Sequence, residues 1–297
     1  MKRPTSAKLF SLLALLVISA LPFAPPATAQ KDKKTTQVSV PTMKRSTLRH
    51  EVRKLAYGGT LTLSAAPAGS ITIEGWQRSE VDVTAEIELQ AGSAEDLDQL
   101  LTVNNFAVDE DANHVRILTT GTHDKKLMKR VAKDFPKSLL GLPWKIDFHI
   151  KVPALADLEI DAGNGPIKLS GVEGAIRLNA LQSVADLTLT GGSVLATVQS
   201  GAINVAIPAR GWHGLGADIK LAAGNLSVEL LPGFNAYIDA QVMRAGEIKT
   251  TYAGLEPREQ TSITPRSMEV RAGSGGATLT FTVGDGTIEI RPMSSKQ

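Results

Sequence analysis

Residues 201–205 read Gly-Ala-Ile-Asn-Val, and residues 224–228 read Gly-Asn-Leu-Ser-Val. The two stretches share one five-residue phrase: glycine, any residue, Ile or Leu, a mostly polar residue, and usually an aliphatic one. Successive residues of a β-strand point to opposite faces, so the phrase puts its two aliphatic side chains on one face and its polar side chain on the other. The leading glycine permits the positive φ of a turn. Each phrase therefore predicts a turn that leads into a short, half-buried strand.

The phrase recurs along the chain, and seven of its eight copies end in Ile, Leu or Val. The copies begin at Gly59, Gly69, Gly165, Gly174, Gly201, Gly224, Gly246 and Gly286. With 26 glycines in the chain, composition alone predicts about one such match, so the repeat is genuine. Two strands per coil give a coil of roughly 16 to 23 residues, which is typical of a β-solenoid. We predict an all-β fold, a single-stranded β-solenoid or β-helix-like domain, with a β-sandwich of the same short strands as the alternative.

Composition excludes several kinds of chemistry. The chain has 297 residues, no cysteine, 42% hydrophobic residues and 4% aromatic residues. Without cysteine there are no disulfides, thiolate metal sites, cysteine nucleophiles or lipid-modified cysteine. Stability must come from apolar burial and backbone pairing.

The first 29 residues have the pattern of a secretory signal peptide. Three basic residues precede the apolar run from Leu9 to Leu21, and Ala27-Thr28-Ala29 follows it. Cleavage there leaves a mature chain that begins near Gln30 and lies outside the cytoplasm, periplasmic or secreted to the cell surface. No later stretch is long and apolar enough to span a bilayer. Removing three basic residues leaves 29 against 30 acidic ones, so the net charge changes from +2 to −1 and gives no argument for nucleic acid.

Residues 30–54 are predicted to form a flexible basic leader. They hold eight Lys or Arg against two acidic residues, a net charge of +6, with little apolar periodicity. Either the leader is attracted to anionic envelope polymers and lipid headgroups, or it is a solvated tether. The strand-repeat domain is then expected over 55–291, followed by a tail over 292–297.

A basic insert at about 122–145 interrupts the repeats. Leu127, Val131 and Phe135 recur with helical spacing, so they share one face of a short amphipathic helix. The insert either caps the end of the solenoid or contacts a membrane surface or anionic glycolipid. The residues predicted for such a surface are Lys125, Lys126, Lys129, Arg130 and Lys133. A capping box over 93–96 predicts another short helix.

The order of these motifs resembles a known family. Gly69-Ser-Ile-Thr-Ile73 is followed by Val81-Asp-Val-Thr-Ala85, then Ile150-Lys-Val-Pro153 leads into Leu158-Glu-Ile160 and further repeats. This order resembles the bacterial putative-adhesin family of β-strand-repeat envelope proteins, a domain of unknown function, over about residues 55–291. The resemblance implies a right-handed solenoid-like fold and an extracytoplasmic role, with no established catalytic residues. The chain departs from the family at the basic insert and at Val184, where a repeat glycine is missing.

Residues for catalysis are few. Asp157, Glu159 and Asp161 alternate with aliphatic residues, so the three carboxylates would line one outer strand face, roughly 6.5 to 7 Å apart. That spacing is near the separation in an inverting glycosidase, whereas a solvated carboxylate row, offset by Lys168 on the next strand, is the alternative interpretation. The histidines show no zinc spacing, and we predict no metal and no cofactor.

The sequence favours a non-catalytic envelope or surface protein, an adhesin-like binding module. The alternative is a carbohydrate-active β-helix enzyme acting on an acidic or neutral polysaccharide. The strand Thr287-Ile-Glu-Ile290 ends the repeats with only a short tail, so Ile288 and Ile290 are predicted at an open strand edge. Such an edge would pair with an envelope protein or a second copy of the chain, and the polar faces with envelope polysaccharide.

Overall fold

The structure, a computed structural model, describes residues 42–131, 135–258 and 261–293. The predicted signal peptide, the first part of the leader and the end of the tail lie outside these residues. Sixteen strands and two α-helices are found within them. The elements are β1 Met43–Lys54, β2 Thr60–Ser64, β3 Ile71–Trp76, β4 Glu80–Ala91, α1 Ala94–Val103, β5 Asn105–Asp111, β6 His114–Thr120, α2 Lys125–Val131, a 3₁₀ turn Lys137–Leu139, β7 Trp144–Pro153, β8 Asp157–Asn164, β9 Ile167–Ser170, β10 Ala175–Thr188, β11 Gly191–Ile207, β12 His213–Leu230, β13 Ala236–Thr250, β14 Leu255–Pro257, β15 Ser267–Ala272 and β16 Thr278–Pro292. The predicted all-β class is confirmed.

The long strands are bent, and each contributes to two ladders. The first half of β10 pairs in parallel with the first half of β11, and the second halves pair likewise. β11 pairs with β12 in the same way, and β12 with β16. We call the ladder of first halves ladder 1; it continues through β8, β2, β6 and β5. Ladder 2, of second halves, continues through β9, β3, β7, β4 and β1.

One hydrophobic core lies between the two ladders. In β11 the buried aliphatic residues are Val194, Ala196 and Val198 before the bend, and Ile203, Val205 and Ile207 after it. The inward positions change from even to odd numbers at the bend, because the strand turns there and both halves must face the same core. The third and fifth positions of the repeat phrase supply this core in ladder 2.

The first position of the phrase forms a column of glycines at the bend. Gly224 has a φ of +135°, and a Cβ placed on it would lie 1.8 Å from the carbonyl oxygen of Gly201. Gly286 repeats this relation with Gly224 at 1.7 Å. Neighbouring strands approach so closely at Gly224 and Gly286 that only glycine fits there. Ser183 pairs with Gly201 and occupies the column in β10, where the sequence lacks the repeat glycine beside Val184.

The prediction of a flexible leader over 30–54 is wrong for Met43–Lys54. These residues form strand β1, which pairs with β4 along its whole length. Four of its basic side chains have acidic partners: Lys44, Arg45, Arg49 and Arg53. Arg49 donates to the carbonyl oxygen of Phe106 at 2.8 Å and lies over that ring, 4.4 Å from the centroid. Arg45 pairs with Asp98 of α1. A charged strand with little apolar periodicity can thus be an edge strand, whose exposed side needs no core residues.

The open edge predicted at Thr287–Ile290 is wrong. β16 lies between β12 and β13 and pairs in parallel with both. Ile288 and Ile290 are fully buried. β13 follows β12 in sequence, but β16 lies between them in the sheet, so sequence order does not give the spatial order.

The basic insert lies between a strand of ladder 1 and a strand of ladder 2. β6 belongs to ladder 1 and β7 to ladder 2, and residues 121–143 replace the short bend that joins the ladders elsewhere. Leu127 and Val131 are half-buried and pack against the core, and Phe135 is buried, as the predicted amphipathic face requires. The helix predicted after Ser93 is also present, with the Ser93 hydroxyl accepting from the Asp96 N–H.

We expect Asp147→Asn, at the base of the insert, to destabilise the protein by about 1 to 2 kcal/mol at neutral pH. The Asp147 carboxylate accepts from Lys145 Nζ at 2.6 Å and from the Ser70 N–H at 2.7 Å. Partial burial raises the pKa of Asp147, but the hydrogen bonds from Lys145 and Ser70 outweigh this and lower the pKa below its usual value.

A lowered pKa means that the ionised carboxylate stabilises the fold above its usual pKa of about 4, and that this contribution is lost as the pH falls through the lowered value. Urea unfolding at pH 7 and at progressively lower pH tests this. The difference in unfolding free energy between wild type and Asp147→Asn should shrink below about pH 4; a constant difference would contradict the assignment.

Candidate binding faces

The three candidate carboxylates lie on the outer face of ladder 1. Leu158 and Ile160 are buried, so Asp157, Glu159 and Asp161 on the same strand point away from the core. Asp157 is half-buried, whereas Glu159 and Asp161 are exposed. The alternation predicted for β8 is therefore present, and the row is a surface feature.

Each carboxylate has a hydrogen-bond partner on a neighbouring strand. Asp157 Oδ1 accepts from the Ala175 N–H at 2.7 Å, and Asp161 Oδ1 accepts from Asn179 Nδ2 at 2.9 Å. Glu159 instead has its hydrogen-bond partner on β2, on the other side of β8. Asp157 and Asp161 are thus oriented by β10, and each keeps a second oxygen for a ligand.

A chain of hydrogen bonds leads from His114 to Glu159. The Thr62 hydroxyl donates to Glu159 Oε2 at 3.2 Å, and His114 Nε2 lies 2.7 Å from the same hydroxyl. A hydroxyl has one proton to donate, so His114 Nε2 must donate to Thr62. On the other side, Arg177 of β10 lies directly opposite Glu159. Thr62 and Arg177 are both fourth residues of repeat phrases, which is why they share this row.

Lys168, expected beside the carboxylates, belongs to ladder 2. It pairs with Thr72 of β3 and Asp186 of β10. Lys168 therefore cannot offset the carboxylate row, and Arg177 lies opposite that row instead.

The depression over the carboxylates is shallow and has a volume of about 280 Å³. Its lining includes Thr60, Asp157, Glu159, Arg177 and Ser193. Enclosed small-molecule sites are larger or deeper, with mostly apolar walls. A glycosidase also keeps its acid protonated in an apolar pocket, whereas Glu159 is exposed. The arrangement suits binding through an exposed row better than hydrolysis.

Ladder 2 carries a second polar row that the search for catalytic motifs missed. The fourth positions of six repeat phrases lie in register across its strands, with Asp186 of β10 completing the row. In spatial order the row is Thr72, Lys168, Asp186, Asn204, Ser227, Glu289 and Lys249. We call it the phrase row. The repeat itself contained the signal, since its polar position is fixed relative to the stacked glycine.

Four residues of the phrase row line a shallow groove of about 580 Å³ on the outside of ladder 2: Asn204, Ser227, Glu289 and Lys249. Asn204 Nδ2 donates to Asp186 Oδ1 at 2.8 Å. Arg291, at the groove, donates to Glu229 Oε1 at 2.7 Å. These pairs hold amide, carboxylate and guanidinium groups at fixed positions on the surface.

The residues predicted to form an interaction surface do not all lie on the surface. Lys125, Lys126, Lys129 and Arg130 are exposed on α2. Lys133 lies outside the described residues. Ile288 and Ile290 are in the core, as given above. Among the described residues, no helix is long and apolar enough to cross a membrane, and no group of three or more acidic or histidine side chains could hold a metal ion.

Comparisons with known proteins find similar solved structures only. No protein family and no curated protein matches the chain. A structure described as a putative cell adhesion protein from Clostridium sporogenes is 12% identical, covers 83% of this chain and 100% of its own, and has a TM-score of 0.43. A putative adhesin from Bacteroides fragilis is also 12% identical, over 83% of this chain and 97% of its own, at a TM-score of 0.25.

A third structure is described as a putative lipid binding protein from Parabacteroides distasonis. It is 10% identical over 83% of this chain and 97% of its own, with a TM-score of 0.22. The names of the first two structures agree with the putative-adhesin family that the sequence resembles, while the structural likeness is too low to add to the fold described above.

Proposed function

We propose that this protein is a non-catalytic binding module of the cell envelope or surface, which holds an extended polysaccharide along the phrase row. The observation that carries the proposal is the register of that row: Lys168, Asn204, Ser227 and Lys249 come from separate repeats and meet on one face. Neighbouring strands are about 4.8 Å apart, so the row offers a polar group at each regular step.

A row of this kind suits a polymer with a regular repeat. Each residue of the row is exposed or half-buried, although the hydroxyl of Ser227 is itself buried. Each accessible group can make one or two hydrogen bonds to a ligand, so each contact would contribute little. Many weak contacts in series still give useful affinity when the ligand is long enough to make them together. A compact ligand would contact only a few strands of the shallow groove.

The architecture that supports this function is a β-solenoid. Successive coils stack in parallel with a step of 18 residues between Asp186 and Asn204, and the bend glycines superpose from coil to coil. A β-sandwich is the alternative, since two ladders face each other across the core. The solenoid description is favoured by bent strands that run from one ladder into the other.

The proposed location is outside the cytoplasm, after cleavage near Ala29. N-terminal mass spectrometry of the protein purified from its host should find a chain beginning at or near Gln30. Recovery of an intact Met1 on the envelope-bound protein would contradict this location.

Binding is tested with the mature chain and a panel of acidic and neutral envelope polysaccharides. We expect Asn204→Ala, Glu289→Ala and Lys249→Ala, combined in one variant, to weaken binding at least about tenfold. The matched control replaces Thr197, Thr282 and Gln241 by Ala on the outer face of ladder 1. A loss in the first variant alone supports the phrase row. An equal loss in both variants, or in neither, contradicts it.

The alternative function is hydrolysis of a polysaccharide at Asp157, Glu159 and Asp161. The hydrogen-bonded chain from His114 through Thr62 to Glu159 is the observation that favours it. We expect no release of reducing ends from the same panel by the wild-type protein. Release that Glu159→Gln abolishes would overturn the proposed function.

A further inference from the structure

We propose that the basic face of the insert docks on an anionic phospholipid bilayer. The basic patch consists of Lys125, Lys126, Lys129, Arg130 and Lys137, which are all exposed. This docking goes beyond the polymer binding above, because it uses a different surface and a different class of partner.

The patch concentrates positive charge in a chain that has little net charge. Residues 122–145 contain seven basic and two acidic residues, a net charge of +5, whereas the chain from residue 30 has 29 basic and 30 acidic residues, a net charge of −1. The attraction to an anionic surface is therefore local to the insert, and it orients the molecule.

The patch side chains make no ion pair with any acidic residue that the structure describes. Lys145, at the end of the same insert, shows the contrast: its Nζ lies 2.6 Å from Asp147 and 3.5 Å from Glu88. Asp124, next to the patch, accepts the N–H groups of Lys126 and Leu127 at 2.8 and 3.1 Å. That carboxylate is oriented toward the start of α2, so the ammonium groups of the patch are available to an external anion.

The opposite face of α2 packs against the core, and this packing fixes the direction in which the basic patch points. Leu127, Met128 and Val131 are half-buried against the core, and Leu139 and Leu142 are buried after the 3₁₀ turn. The helix cannot rotate without exposing these side chains. The basic residues must therefore face outward as a group.

One exposed apolar side chain favours a lipid surface over an acidic polysaccharide. Leu140 is 43% exposed, and its N–H donates to the carbonyl oxygen of Lys137. An apolar side chain among basic ones can enter the headgroup region while the charges bind lipid phosphates. A hydrated polysaccharide gains nothing from Leu140. The basic patch is also confined to one insert, whereas a site for a long polymer would be expected to extend across several strands.

The test is sedimentation of the mature protein with vesicles of phosphatidylcholine alone or mixed with about a quarter phosphatidylglycerol. We expect binding to the anionic vesicles only, and a loss of that binding between about 50 and 500 mM NaCl. Changing Lys125, Lys126, Lys129 and Arg130 to Gln together should lower the partition coefficient by about 100-fold or more. Leu140→Ser should lower it by about fivefold at constant charge.

The matched control changes Lys54, Lys151, Lys220 and Arg210 to Gln, which removes the same charge from positions dispersed over the surface and outside the phrase row. Equal melting temperatures show that the variants fold, since Gln keeps the helix propensity of Lys. An equal loss in the control would mean that total charge decides, and would overturn the proposal. So would equal binding of wild type to a soluble acidic polysaccharide together with no effect of Leu140→Ser, because the partner would then be a polyanion.

Discussion

Replacing Ile203 by Asp is expected to unfold a large part of the protein population, with a loss of at least about 4 kcal/mol in unfolding free energy. Ile203 is fully buried in β11, between Ala185 of β10 and Leu226 of β12. A carboxylate there would be surrounded by aliphatic side chains with no partner for its charge. Domains of this kind are stable by only about 5 to 15 kcal/mol, so the loss is a large fraction of the total.

The control for this change is Asn204→Asp, one residue further along the same strand. Asn204 is exposed and its side chain lies beside Asp186. This change removes the hydrogen bond to Asp186 and puts two carboxylates side by side. Both lie on the outer face and are screened by solvent, so the cost should be about 1 kcal/mol. Thermal and urea melts of both variants give the comparison. Equal losses would shift the strand register by one residue and exchange the core face with the binding face.

Replacing Gly224 by Ala is expected to cost more than about 3 kcal/mol, although it adds a single methyl group. The new Cβ would lie 1.8 Å from the carbonyl oxygen of Gly201, a backbone atom that cannot move without displacing its whole coil. Alanine also disfavours the φ of +135° at this position. The strain would spread to the next coil, because Gly286 lies equally close to Gly224.

Substitutions at two other glycines distinguish the cost of steric overlap from the cost of backbone strain. Gly233 has a φ of +76° and open space at the Cβ position, so Gly233→Ala should cost only about 1 kcal/mol. Gly141 also has open space and no positive φ, so Gly141→Ala should have almost no effect. Urea unfolding of the three variants measures the series. A cost at Gly224 no larger than at Gly233 would contradict the close stacking of the coils.

The candidate sites differed in how far sequence could locate them. The outward direction of Asp157, Glu159 and Asp161 follows from alternation along one strand, and it was predicted. The positions of Thr62 and Arg177 on either side of Glu159 were not predicted, because they depend on which strands pair with β8. The phrase row could be predicted in part. The sequence places six of its members at the fourth position of their repeat phrases, but only the pairing of the strands brings these positions together in one row.

The amino-acid sequence by itself determined the all-β class, the inward aliphatic positions and the glycines that lead into the repeat strands. These properties depend on period-two alternation and on the φ of single residues, which are local. Only the tertiary structure decided that β16 lies between β12 and β13, that the basic residues of 43–54 form an edge strand, and that the insert replaces one bend. Backbone N–H and C=O groups can pair with any strand of suitable register. Which strands become neighbours therefore depends on the arrangement of the whole sheet and cannot be predicted from the local sequence.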